Sequence, residues 1–298
     1  MGLALSPFKL ITARKAYHAR EFITAAWRKY ISNGGPKTAS AFIDAIHTHN
    51  ARHGFNAEDL ARFEVGHSFA VIGTTAPTTW WLMYHIFSDA AVLAAIRAEL
   101  STLVQEVENG VRAIDIAAVR TACPILLSTF KETMRYRAIG TAVRVCLEDH
   151  LLDNRFLLKK GGVVIIPQVV HHTATSIWGD DVDKFDHMRF VQTPGRIRPN
   201  PVAFRAFGGG HNLCPGRHFS STEILAFAAL MVLQFDVVPM GGVWVEPTWK
   251  RTPMVSSFQI PDKDIEIEAR PRDSCQWRIL FSGSAHAMQI VSEDIKVE

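Results

Sequence analysis

The chain has 298 residues, of which 48% are hydrophobic, enough apolar side chain for a substantial core in one or two domains. Its 32 basic and 29 acidic residues leave a formal charge of +3, with no long basic run, which argues against a nucleic-acid partner. Cysteines at 123, 146, 214 and 275 form no CxxC pair and no zinc spacing, so a disulfide or zinc framework is not indicated and a reducing compartment is the natural reading.

The segment Met1 to Tyr30 carries Lys9, Arg14, Lys15, Arg20 and Arg28, too much charge for the apolar core of a signal peptide or anchor. Ile11 to Ile31 predicts an amphipathic helix, ended by Ser32-Asn33-Gly34-Gly35-Pro36. Ala39 to His49 predicts a second helix. Asn56 caps a third, with Glu58 and Asp59 in its first turn, and this leads into a long apolar helix ending near Phe87. Within it, Gly66 to Phe87 has no Asp, Glu, Lys or Arg and is long enough to span a bilayer. Its four threonines, two histidines and Pro77 make it read as a buried helix of a soluble protein instead. Helices follow at Ala90 to Glu108, Ile114 to Thr121 and Pro124 to Arg137.

From Thr141 the period shifts. Val143 to Leu147 and Gly162 to Pro167 predict short strands, Asp181 to Arg205 reads as loop, and Val243 to Val245 and Ile265 to Ala269 predict further strands. The expected fold is mainly α with small β-sheets, as one domain over 1–298 with a helical part to about 140 and a mixed part beyond.

The run Phe207-Gly208-Gly209-Gly210-His211-Asn212-Leu213-Cys214-Pro215-Gly216 places one cysteine ahead of an apolar helix. Its glycines permit left-handed turns and let a flat group approach the backbone. Pro215 suits the first helical position, and the helix dipole favours a thiolate at Cys214. This run resembles the heme-binding loop of the cytochromes P-450 at Phe207, Gly208, Gly210, Cys214 and Gly216. It departs from it at Asn212, where many members carry arginine.

Two further motifs extend the resemblance. Glu132 and Arg135 lie at i,i+3 on one helix face, a spacing that by itself describes a surface ion pair worth about 0.2–0.5 kcal/mol. The pair is similar to the family's Glu-x-x-Arg, and Phe185-Asp186-His187-Met188-Arg189-Phe190 resembles its Pro-x-Arg-Phe element with His187 in place of proline. The resemblance implies that Glu132, Arg135 and Arg189 form a structural, salt-bridged triad that locks the Cys214 loop. The second motif is Gly73-Thr74-Thr75-Ala76-Pro77. Pro77 removes the amide that would bond to Gly73, so the helix should open between Gly73 and Thr75 and present the Thr75 hydroxyl to a cavity. In the family this opening lies over the heme. Thr74 occupies the position where members usually carry an acid, and the pattern is similar to a branch that includes fungal members, prostacyclin synthase and the bile-acid sterol hydroxylases.

The resemblance implies a cytochrome P-450 fold lacking its N-terminal helices, heme b with Cys214 as axial thiolate and metal ligand, and Thr75 at the catalytic position. It also implies Phe207, Gly208, Gly210, Arg144 and His211 as cofactor-binding residues, with Arg144 toward a propionate and Asn212 beside His211. Ala138, Ile139, Ala142, Val143, Met254 and Val255 would line an apolar pocket. The implied activity is a heme-thiolate monooxygenase that inserts one oxygen atom of O2 into a small apolar substrate, with NADPH-cytochrome reductase as electron donor. A full-length relative would sit on the cytosolic face of the endoplasmic reticulum, whereas this chain, read as having no anchor, would be cytoplasmic or of unknown location. Two other readings stand beside it: a truncated, weakly heme-binding fragment, and a peroxide isomerase or dehydratase, which the absent acid at Thr74 suggests.

Overall fold

Local signals set most of the helices. In the computed structural model, which describes residues 8–194, 200–282 and 291, α1 (Lys9–Thr12) and α2 (Arg14–Ser32) are followed by Asn33, the C-cap residue, and by Gly34 in the left-handed region. The stop signal holds for only two residues, because α3 (Gly35–Thr38) starts at once with Pro36 in its first turn. Next come α4 (Ala41–Arg52), capped by Ser40, and α5 (Ala57–Ala70). Asn56 accepts from the amides of Glu58 and Asp59, and the Asp59 carboxylate accepts from the Asn56 amide, a reciprocal capping box. Positions 1–7 of the N-terminal segment and 195–199 of the long loop lie outside the described residues.

The chain divides into two compact units, Met1–Thr74 and Thr75–Glu298. In the first, α2 and α5 pack together. Glu21 on α2 receives both outer nitrogens of Arg62 on α5, at 3.2 and 3.1 Å, and these bonds with those of Arg20 bring its carboxyl down to about 2. Glu64 is buried between His47 and His67, at 2.9 and 3.3 Å.

A π-helical stretch, Val71–Thr75, follows α5, and α6 (Ala76–Phe87) begins directly after it. Pro77 explains the π turn, since it offers no amide to an α-type ladder. The second unit continues with α7 (Ala90–Ser101), β1 (Gln105–Glu106), β2 (Arg112–Asp115), α8 (Ile116–Ala122) and α9 (Pro124–Arg137). The stretches read from the sequence as helix at Ala90 to Glu108 and Ile114 to Thr121 are thus each part strand: β1 pairs antiparallel with β2, and β2 pairs in parallel with β9 (Trp277–Leu280), a partner far along the chain. The α9 bounds match the prediction.

Beyond α9 lie β3 (Thr141–Val145), the hairpin β4 (His150–Leu152) and β5 (Phe156–Leu158), and β6 (Val163–Pro167), which is antiparallel to β3. Two short helices follow, α10 (Gln168–His172) and α11 (Thr175–Trp178). After the long loop come α12 (Arg217–Gln234), β7 (Phe235–Pro239) and β8 (Ile267–Pro271), which pairs with β7. Val243 to Val245 is not a strand; Val243 and Val245 are exposed and without a ladder partner among the described residues. Leu82, Ile86, Ile96, Leu126, Phe130, Leu225 and Val232, from α6, α7, α9 and α12, form a common core. No helix among the described residues is long and apolar enough to cross a membrane. The stretch from Gly66 to Phe87, read from the sequence as one buried helix, runs through α5, the π turn and α6, and only its end is buried: Phe69 and Ile72 are exposed, whereas Trp81, Leu82 and Ile86 are buried.

Candidate functional site

Cys214 is exposed, at the end of the glycine loop. Its amide donates to the carbonyl of Phe207 at 2.9 Å and closes the loop on itself. Gly208 and Gly210 both sit at positive φ, +86° and +67°, and a Cβ at Gly208 would come within 3.2 Å of the Asn212 carbonyl oxygen. The loop therefore needs glycine at 208 for both conformation and space. Gly216, not Cys214, caps α12, so Pro215 precedes the cap instead of opening the helix. The Cys214 carbonyl accepts from the amide of Arg217 (3.4 Å) and from its Nη1 (3.2 Å), which ties the cysteine backbone to the first helical residue. Cys123 contrasts with it: fully buried, its thiol is pushed up to about 12 by desolvation and, secondarily, by Glu99.

Glu132 and Arg135, one turn apart on α9, meet in a bidentate pair, Nε to Oε2 and Nη2 to Oε1, both 2.7 Å. Arg189 Nε donates to Glu132 Oε1 at 3.0 Å. All three side chains are buried. The surplus positive charge is distributed over carbonyls: Arg135 Nη1 donates to His172 (2.7 Å) and Val182 (3.0 Å), and Arg189 donates to Trp178, Asp181 and Lys184 and to the Asp181 carboxylate. The Asp186 amide adds a bond to Glu132 Oε1 at 3.1 Å.

Other predicted positions are placed as follows. The half-buried Arg144 on β3 has Nη1 on its neighbour's carbonyl, Val143, at 2.9 Å, and no ion pair among the described residues. His211 and Asn212 are exposed, and Phe207 is half-buried against the core. The Thr74 hydroxyl bonds back to Ala70 (2.6 Å), and the Thr75 carbonyl accepts the Thr79 hydroxyl (2.8 Å), so Thr75 lies at the junction of the π turn and α6. Ala138 bridges to Phe258, and the amides of Ile139 and Gly140 both donate to Ser257, which joins the exit of α9 to the segment after Met254 and Val255.

Three groups escaped the sequence reading. Arg137, buried, lays its guanidinium 3.6 Å from the Trp81 ring centre and pairs with Glu246, while Trp81 Nε1 donates to the Gln259 carbonyl at 2.8 Å. His85 stacks on Phe185 at 3.7 Å between centroids, and burial holds it well below the ordinary histidine range. His172 lies against the start of the cysteine loop, and burial brings it down to about 3. A lone histidine or arginine in a helix gives no local signal of burial.

The donor set fits a metal cofactor held through one sulfur: an exposed thiol, a loop kept free of side-chain bulk at 208 and 210, and a half-buried arginine on β3 without an acidic partner among the described residues. A mainly helical chain with a thiol-presenting loop ahead of a core helix, braced by a buried Glu-Arg-Arg cluster, defines the class. The model of the cytochrome P450 family matches residues 9–268, and the chain belongs to that family. It is 34% identical over 282 residues to "Cytochrome P450 monooxygenase nodJ" of Hypoxylon pulicicidum, covering 91% of this chain and 55% of the relative. It is 29% identical over 270 residues to "Cytochrome P450 monooxygenase" of Gibberella zeae, covering 87% and 51%. The human "7-alpha-hydroxycholest-4-en-3-one 12-alpha-hydroxylase" is 27% identical over 183 residues, covering 55% and 36%. The chain spans about half the length of the fungal relatives it matches.

Proposed function

We propose that this chain is the cysteine-ligand part of a heme-thiolate monooxygenase. The observation that carries the reading is the exposed Cys214 thiol, set on a glycine loop ahead of α12 in a unit braced by the buried Glu132, Arg135 and Arg189. Iron protoporphyrin, when bound, supplies the activation of dioxygen and the transfer of one oxygen atom to an apolar substrate. The chain's own residues hold and orient. Cys214 would hold the iron through its thiolate sulfur; Phe207, Gly208 and Gly210 would leave room for the ring; Arg144 would neutralise a propionate, and His211 would lie against the cofactor. Thr75 places a hydroxyl at the π turn, where it can hold a proton at Oγ1. Two fungal relatives carry the name monooxygenase, which supports the reaction class. Electrons would come from NADPH-cytochrome reductase, as for a full-length relative on the cytosolic face of the endoplasmic reticulum.

The test is the carbon-monoxide difference spectrum of the reduced, heme-loaded protein. The red-shifted thiolate band is expected in the native sequence and lost in Cys214→Ala. A band that persists in Cys214→Ala overturns the reading. One observation favours a second reading, a peroxide isomerase or dehydratase: the position ahead of Thr75 is Thr74, whose hydroxyl is turned back to Ala70, so no acid stands there. Turnover of a lipid peroxide without reductase or NADPH would select it.

A further inference from the structure

The Arg205 peptide, two residues before Phe207, is gripped at both its polar groups by side chains of one short helix. Gln168 and His172 lie at i and i+4 on α10, on one face. Gln168 Nε2 donates to the Arg205 carbonyl at 2.6 Å and to the Ala206 carbonyl at 3.4 Å. His172 Nε2 accepts from the Arg205 amide at 2.9 Å. That donor assigns the tautomer: His172 is neutral, with its proton on Nδ1. Both side chains are buried, and His172 stacks on Phe204 at 5.8 Å. The remaining polar atom of each, Gln168 Oε1 and His172 Nδ1, has no hydrogen-bond partner among the described residues. The grip on 205–206 is thus the polar contact for which both side chains are kept buried.

The same helix is anchored at its far side. The Gln168 amide donates to the Gly140 carbonyl at 2.8 Å, and the His172 carbonyl accepts Arg135 Nη1 at 2.7 Å. On the loop side, the Arg205 carbonyl also accepts the Gly208 amide at 2.9 Å, and the Phe207 carbonyl accepts the Cys214 amide. A continuous polar path therefore runs from Glu132 through Arg135, His172 and Arg205 to the turn that ends at Cys214.

We propose that Gln168 and His172 are positioning residues that fix the start of the cysteine loop, and that they, not the Glu132–Arg135–Arg189 cluster directly, transmit the hold of α9 to Cys214. The bonds that Glu132, Arg135 and Arg189 make go to one another, to α10 and to segment 178–186, and it is α10 that reaches the loop. The role toward Cys214 as a ligand rests on the heme-thiolate reading, while the grip on the loop does not.

Hydrogen–deuterium exchange of the whole purified chain tests the grip without cofactor, and the carbon-monoxide difference spectrum of the heme-loaded chain tests its consequence. His172→Phe keeps the ring and its stacking but removes the acceptor. His172→Gln restores an acceptor at about the reach of Nε2. Gln168→Leu removes the other half. In His172→Phe and Gln168→Leu, exchange over 205–208 is expected to rise about tenfold with the α9 peptide unchanged, and the thiolate-type band is expected to decay several-fold faster to a non-thiolate form. His172→Gln is expected to return both readouts to within about twofold of the native values. Unchanged exchange at 205–208 in folded His172→Phe and Gln168→Leu overturns the proposal, as does faster exchange that His172→Gln fails to correct. If His172→Phe does not fold, Gln168→Leu and His172→Gln decide by the same exchange readout. A native chain that never shows the thiolate band fails the heme reading alone; the exchange result still judges the grip.

Discussion

Arg135 and Glu132 form a two-point ion pair, 2.7 Å at each contact, with side chains 1% and 0% exposed. A pair so placed is not worth much relative to an apolar replacement, because two desolvation costs oppose the attraction. Its significance lies in what breaking it does. Arg135 and Arg189 would both be left buried without their carboxylate.

Glu132→Ala is therefore expected to cost about 3–5 kcal/mol, read as a shift of the urea midpoint followed by circular dichroism. Arg135→Lys should lose much of the same stability, since an ammonium cannot reproduce the fork on Glu132 and the carbonyls of His172 and Val182. An Arg135→Lys protein as stable as the native chain would show that charge alone, without fork geometry, suffices.

Stability should fall with acid through His172. Its folded pKa is brought down to about 3, by burial first and then by Arg135 and His171, against about 6.5 in the unfolded chain. Between those values the unfolded chain binds the extra proton, so stability is complete above about pH 6.5 and is lost as pH falls toward 3. The loss by pH 5 is about 2 kcal/mol from this group. His85, displaced in the same direction by burial and Arg137, adds to it. Urea unfolding at pH 7 and pH 5 should show a drop that is smaller by about that amount in His172→Gln; equal drops in both proteins would contradict the assignment.

The two extreme cysteines should separate chemically. Iodoacetamide at pH 8, followed by peptide mass spectrometry, is expected to label Cys214 rapidly and to leave Cys123 unlabelled in the folded chain, because only the former is exposed and the latter is pushed up to about 12. Added hemin should slow labelling at Cys214 if its thiol is the ligand. No protection at a saturating dose would count against Cys214 as the metal ligand.

Gly140→Ala tests the approach of α10 to the exit of α9. A Cβ there would lie 2.9 Å from Gln168 Oε1 and 3.4 Å from the Ser257 Cα, so Gln168 must move. A cost of about 1–3 kcal/mol is expected, together with faster amide exchange at 205–208. Normal exchange there would mean that Gln168 relaxes without losing the Arg205 carbonyl.

Where the informative chemistry lies in consecutive residues, it was legible. The α9 bounds followed from Pro124 at its start, the capping of α5 from Asn56, and the opening of the helix near Gly73 to Thr75 from the amide missing at Pro77. The Cys214 loop was visible for the same reason, whereas Glu132, Arg135 and Arg189 were grouped only by their resemblance to the family's motifs, since the spacing of Glu132 and Arg135 alone describes a surface ion pair. Short strands were not. β2 lies in residues of helical composition and is a strand because β9, from the far end of the chain, runs beside it with Arg112 opposite Trp277. Val243 to Val245 has strand composition and no partner among the described residues.

By itself, the order of residues determined the helical class and set Cys214 apart from the other three cysteines, because capping, proline chemistry and a glycine-rich turn act within a few residues of one another; the family followed from the resemblance of its motifs. The tertiary structure decided the rest. It showed that Glu132, Arg135 and Arg189 are buried together, and that Gln168 and His172 of a five-residue helix stand between that cluster and the cysteine loop. Burial and hydrogen bonds between distant segments depend on which surfaces meet when the chain folds, and no local pattern around His172 encodes its meeting with the amide of Arg205.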